Sequence, residues 1–158
     1  MIKITALFFL VTTSAFAQQE IDVVKFNTIQ KLLDDKSASI QIINFWATWC
    51  APCVKELPLI EAINEQASQE GVKVTLISLD FADKIDKVKN FVKLKKIKST
   101  VVLLDDIDYN SWIDKVDKDW SGAIPATLLL NTKTGKRKFI EKELVDGELE
   151  SLIKEIKE

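Results

Sequence analysis

No histidine occurs among the 158 residues, cysteine occurs twice, and methionine and tyrosine occur once each. The missing histidine excludes nucleophilic catalysis built on a Ser-His or Cys-His pair. It also starves a zinc site, which takes about four Cys, His or carboxylate ligands. Cys50 and Cys53 could offer only a pair of thiolates completed by acids, or half of a site shared between two chains. An excess of one charge is lacking too. With 22 basic and 24 acidic residues the net charge is −2, and nothing in that balance points to nucleic acid. Lys93, Lys95, Lys96 and Lys98 read as a solvated helix face. Glycine and proline are sparse, at four and three, and no linker, repeat or second domain is visible.

Long hydrophobic runs are also missing. The apolar stretch at 4–11 is shorter than the roughly 20 residues that cross a bilayer. With Lys3 before it and Ala15-Phe16-Ala17 after it, it reads as a secretory signal peptide cut after Ala17. The expectation is a leader over 1–17 and an exported domain over 18–158, with Gln18 rather than a cysteine directly after the cut, so that a lipid anchor there is not expected. Export changes the meaning of the cysteines, because thiols outside the cytosol tend to become disulfides. A staple closing so short a loop would stabilise little. Redox chemistry is the better reading.

What is present alternates between two periodicities. IDVVKF (21–26) reads as a strand and NTIQKLLDD (27–35) as a short helix. SIQIINFWA (39–47), VKVTLISLD (72–80) and TVVLLD (100–105) are near-continuous β-branched or aliphatic runs, the pattern of strands buried on both faces. A helix is expected from the cysteines to about Gln69, with Leu57, Ile60, Ile63 and Ala67 on one face. Another is expected over 83–96, with Ile85, Val88, Phe91 and Val92 inward. Tyr109, Trp112, Ile113, Val116 and Trp120 recur at helical spacing and predict an amphipathic helix over 108–120. AIPATLLLN and KRKFIE flank the turn signal TKTG and predict a hairpin. A last helix carries Leu149, Leu152, Ile153 and Ile156, with Asp146 as its N-cap. The order implies an α/β sandwich around a mixed sheet.

The cysteines stand at a strand-to-helix junction, in NFWATWCAPCVKELP (44–58). Unpaired N–H groups at a helix start favour a thiolate there, so Cys50 is the candidate attacking sulfur and Cys53, one turn on, the resolving one. Pro52 suits a first helical turn. The stretch resembles the active site of the thioredoxin superfamily, and in particular its TlpA/ResA-like exported branch. Trp49 before Cys50, Pro52 within the motif and Pro58 beyond it carry the resemblance, as does AIPAT, where Pro125 matches the family's cis-proline.

The resemblance covers about 21–158. It implies a thioredoxin-like sandwich with a TlpA/peroxiredoxin-type helix-strand insertion at 83–105. It further implies a periplasmic, monomeric thiol-disulfide oxidoreductase that reduces protein disulfides, with no cofactor beyond a Cys50–Cys53 disulfide and with electrons supplied by a membrane-embedded thiol donor. Trp49, Ile124 and Pro125 would bind substrate, and Trp46 would help Trp49 shield the site. Where many thioredoxins carry a buried Asp, this chain has Asn44, which cannot take a proton. Glu56 stands where TlpA/ResA-like proteins often place a glutamate, three residues after Cys53, and is the candidate for proton transfer.

Two other functions fit the same resemblance. A peroxiredoxin-like peroxidase shares the insertion, but the Pro-x-x-x-Thr-x-x-Cys motif is absent and Trp49 fills space that a peroxide site keeps polar. A non-catalytic module would deliver copper or recognise a partner without turnover; the known exported copper carriers of this fold rely on a histidine, which is absent here. Each residue also has a plainer reading: Trp46 and Trp49 as core and rim aromatics, Trp112 as packing, Trp120 as packing or as an edge of the substrate groove. Lys55 and Glu56 could be solvated helix residues, and Pro125 an ordinary turn proline.

Overall fold

The computed structural model describes residues 20–67 and 70–158; the expected leader lies outside them, as does the expected end of the second helix at Gln69. One six-stranded sheet runs through the molecule in the order β1-β4-β3-β2-β5-β6. Its strands are β1 (Asp22–Val24), β2 (Ile40–Trp46), β3 (Val72–Ser78), β4 (Thr100–Leu104), β5 (Ala126–Asn131) and β6 (Arg137–Ile140). The first four are mutually parallel, while β5 and β6 form the antiparallel hairpin. The sheet is mixed, as the element order implies.

β2 is central, and all seven of its residues are buried. Alternate side chains point to opposite faces, so Ile40, Ile42 and Trp46 enter one core while Ile43 and Phe45 enter the other. The first core is closed by α2 (Ala51–Ala67), α3 (Ile85–Lys95) and α5 (Glu148–Lys157). The second is closed by α1 (Phe26–Asp34) and an aromatic cluster of Phe26, Phe45, Trp112 and Trp120. In α3, Val88 and Val92 are buried, whereas Ile85 and Phe91 are only half-buried against the same core. The insertion is present as α3 and β4, with β4 seated between β1 and β3.

The expected helix over 108–120 is not continuous. A 3₁₀ turn at Tyr109–Ser111 is followed by the single turn of α4 (Ile113–Val116), and Trp112 between them has φ −134°. Local hydrogen bonds compete with the helix here. Ser111 Oγ donates to the Asp108 carbonyl at 2.7 Å, and the Asp119 N–H to Asp117 Oδ1 at 3.1 Å. The apolar stripe is buried all the same at Trp112, Val116 and Trp120. Trp120 is a packing residue, its indole N–H held by the Ala123 carbonyl at 2.8 Å.

Asp146 does not cap α5. Gly147 occupies that position at φ 74°, and Glu148 reaches back to accept the Val145 N–H at 3.1 Å. Nothing lies within 4 Å of a Cβ built on Gly147, so Gly147→Ala meets backbone strain alone. It should cost about 1 kcal/mol, a fall of about 3 °C in melting temperature. Asp146→Ala should stay within about 0.5 kcal/mol of the parent protein. Paired thermal melts test this, and a larger loss for Asp146→Ala would restore the aspartate as the cap.

Candidate active site

β2 ends at Trp46, and the chain turns through 47–50 into α2. The Cys50 N–H donates to the Ala47 carbonyl at 3.1 Å, closing the turn. Cys50 and Cys53 are joined as a disulfide, S–S 2.00 Å. The Cys53 N–H points at Cys50 Sγ from 3.3 Å, so a donor of the helix start faces the sulfur expected to carry negative charge. Cys50 Sγ also stands 3.8 Å from the Ile124 carbonyl oxygen. Ile124-Pro125 is a cis peptide bond, as the resemblance implies, and Pro125 is buried directly before β5. The first cysteine, Ile124 and Pro125 therefore meet.

The two tryptophans separate. Trp49 is 61% exposed beside Cys50, on the rim, while Trp46 is fully buried against Phe91 at 5.3 Å. Trp46 is a core residue, in the same buried cluster as Cys50 and Cys53. Lys55 is solvated and pairs with Glu143 at 2.5 Å.

Glu56 is no surface acid. It is fully buried, with Oε1 accepting from Asn44 Nδ2 at 2.8 Å and Oε2 from the Leu144 N–H at 2.7 Å. Burial pushes its carboxyl up from 4.5 to about 7; nearby Glu143 and Glu148 add to this, while the bonds from Leu144 and Asn44 pull the other way. Asn44 and Glu56, noted separately in the sequence, are thus hydrogen-bonded partners. Asn44 Nδ2 also reaches Thr127 Oγ1 at 2.9 Å on β5, whereas its Oδ1 has no partner among the described residues.

Several contributors were not legible. Thr127 faces Asn44 through the β2–β5 register, and Leu144 enters through its backbone, which no side-chain pattern reveals. Glu141 accepts from the N–H groups of Ser121 at 3.2 Å and Ala123 at 2.9 Å, and from Ser121 Oγ. It thereby steadies the segment that delivers Ile124. Among the described residues no cluster of His, Cys, Asp or Glu is suited to a metal ion.

Comparison with known proteins decides the family. The model of the AhpC/TSA family matches residues 14–136. The chain is 37% identical over 129 residues to the thiol-disulfide oxidoreductase ResA of Bacillus thuringiensis subsp. konkukian, covering 80% of this chain and 68% of that one. The chain belongs to the AhpC/TSA family. Within this family it is a ResA-like thiol-disulfide oxidoreductase with Cys50–Cys53 as its redox disulfide. Among solved structures it is similar to a thioredoxin-related protein from Neisseria meningitidis serogroup B, with TM-score 0.67, 26% identity, and 79% of this chain and 90% of that one covered. It is also similar to StoA from Bacillus subtilis, with TM-score 0.56, 25% identity, and 78% and 85% covered. The fold is thioredoxin-like.

Burial separates the two thiols of this family member. Cys50 is 6% exposed and Cys53 not at all. Briefly alkylated, reduced protein should carry label on Cys50 at least about tenfold ahead of Cys53 near neutral pH. Mass spectrometry reads the sites, and preferential labelling of Cys53 would reverse their roles.

Proposed function

We propose that the chain reduces protein disulfides outside the cytosol, with Cys50 as nucleophile, Cys53 as resolving thiol and Glu56 as the proton-transfer group. The observation that carries this reading is the buried Glu56, three residues behind Cys53 on α2 and poised near pH 7. The Cys50 thiolate attacks one substrate sulfur, forming a mixed disulfide and releasing the other sulfur as a thiolate that takes a proton. Cys53 then gives its proton towards Glu56 and attacks Cys50 Sγ. The second substrate sulfur leaves, and the Cys50–Cys53 disulfide forms. Two electrons pass from the enzyme dithiol to the substrate disulfide.

Glu56 shares a helix face with Cys53 at i, i+3. A carboxyl near neutrality gives and takes protons with little driving force lost either way. Substrate would lie along Trp49 and the backbone of Ile124 beside Pro125. Restoring the dithiol needs a reduced thiol donor, which the family resemblance places in the membrane. The leader expected over 1–17, cut after Ala17, would export the mature domain, 18–158, and the family resemblance would place it in the periplasm. The test is direction. Equilibrated with glutathione buffers, the couple should lie more negative than about −220 mV, and the reduced protein should cleave insulin disulfides. A clearly more oxidising potential, with net oxidation of unfolded dithiols, would identify an oxidase instead.

A further inference from the structure

Asp80 is a buried acid that the exchange steps do not use. It follows the end of β3, is 3% exposed, and forms no ion pair among the described residues. Burying a carboxylate without a cation is costly unless donors surround it. Here three do. Oδ2 accepts from the Thr48 N–H at 2.8 Å and Ser78 Oγ at 2.9 Å, and Oδ1 from Thr48 Oγ1 at 2.5 Å. The Asp80 N–H returns a bond to Ser78 Oγ at 3.2 Å. Alongside, the Leu79 N–H donates to the Trp46 carbonyl at 2.8 Å.

The two bonds that run from Asp80 beyond the end of β3 fall on one residue, Thr48. Thr48 sits in the middle of the turn that leaves β2 and presents Cys50 to α2. Both donors that Thr48 offers, the backbone N–H and the side-chain hydroxyl, are committed to Asp80. The neighbouring Trp49 is 61% exposed. The turn that sets Cys50 Sγ against the Ile124 carbonyl is thus tied to the end of β3 through Thr48, beside the backbone bond from Leu79 to Trp46.

We propose that Asp80 is a positioning residue of the redox site, acting through Thr48 to fix the turn that carries the attacking sulfur. This rests on the dithiol reading above and adds a residue to it. Displacements of about 1 Å in a reacting group can cost up to about a hundredfold in rate, so a loosened turn should slow attack even where the protein remains folded.

The readout is the rate at which the pre-reduced protein cleaves 2-hydroxyethyl disulfide, too small to report on polypeptide docking, at a pH where Cys50 is fully ionised. Asp80→Ala and Thr48→Val should each slow this plateau rate by about tenfold. Asp80→Asn keeps an oxygen for the Thr48 N–H and can turn its amide towards Thr48 Oγ1, and Thr48→Ser keeps the hydroxyl. Both should stay within about threefold of the parent rate. Melting temperatures are measured in parallel, because a purely structural tie would lower stability and leave the folded protein's plateau rate untouched. That result would overturn the proposal. If Asp80→Ala does not fold, the Thr48 pair decides alone: a slow Val with a near-normal Ser supports it, and a Val at the parent rate overturns it. Failure of the parent protein to cleave the disulfide at all would instead count against the dithiol reading.

Discussion

Cys50→Ser should abolish disulfide exchange, lowering the rate by at least about a thousandfold, because no other thiol stands at the helix start. The chain has only these two cysteines, and a serine hydroxyl is far too weakly acidic to replace a thiolate. Cys53→Ser should fail differently. Its Cys50 still attacks and still forms the mixed disulfide, but nothing within the chain displaces it. Turnover should stop after one event, with substrate held covalently on Cys50. Non-reducing electrophoresis then shows an adduct that collapses with dithiothreitol, and mass spectrometry maps it to residue 50. The reverse pattern, an adduct on Cys53 in Cys50→Ser and none in Cys53→Ser, would sink the assignment. The stability effect of either change in the reduced protein should be small, since a disulfide closing so short a loop constrains the unfolded chain little. Lost function with a nearly unchanged fold distinguishes this pair from core residues such as Ile43 or Leu128, both fully buried.

Much of the architecture could be read because it is set by burial on two faces. β2 and β3 appear as near-continuous apolar runs because both faces of this parallel part of the sheet are covered, and the cores confirm which side each residue takes. The α5 stripe is legible for the analogous helical reason, and Leu149, Leu152, Ile153 and Ile156 are all buried. The 108–120 segment shows where periodicity misleads. The spacing of Trp112, Val116 and Trp120 is that of a helix, but Asp and Ser groups along the segment take local hydrogen bonds, and the aromatics reach the core from turns.

The candidate site divides in the same way. The cysteines and Pro125 carry sequence signals because their roles depend on residue type. The burial of Glu56 does not. A glutamate on a helix ordinarily faces water, and only the return of residues 141–145 over α2, ending in the Leu144 N–H, encloses this one. Asp80 is equally silent, since its partner Thr48 lies 32 residues earlier.

That enclosure makes Glu56→Gln the second large expected effect, seen first in stability. In the native protein Glu56 titrates at about 7 against an ordinary value of 4.5. Between those values the native state holds a proton that the unfolded chain has released. Stability therefore falls as pH rises through the window and levels off above it. The gap corresponds to about 3 kcal/mol. The acids held low, such as Asp35 at about 2 through its bonds with Ser37 and Lys73, lose their contribution only on the acid side and leave this window clear. Urea melts of the oxidised protein, whose cysteines are bonded and silent, should show parent stability declining from pH 4.5 to 8. The Glu56→Gln curve should be nearly flat and lie above the parent at pH 8 by up to about 3 kcal/mol. Gln keeps an acceptor for the Leu144 N–H, and Asn44 can turn its unpartnered Oδ1 towards the new amide, so the variant should fold. The same variant, although more stable, should exchange disulfides more slowly at pH 7, by about ten- to a hundredfold, because Cys53 has lost its proton acceptor. Parallel stability curves together with an undiminished exchange rate would reduce Glu56 to a buried structural acid. A gain in stability with loss of rate is the signature of an acid kept inside the protein for its chemistry.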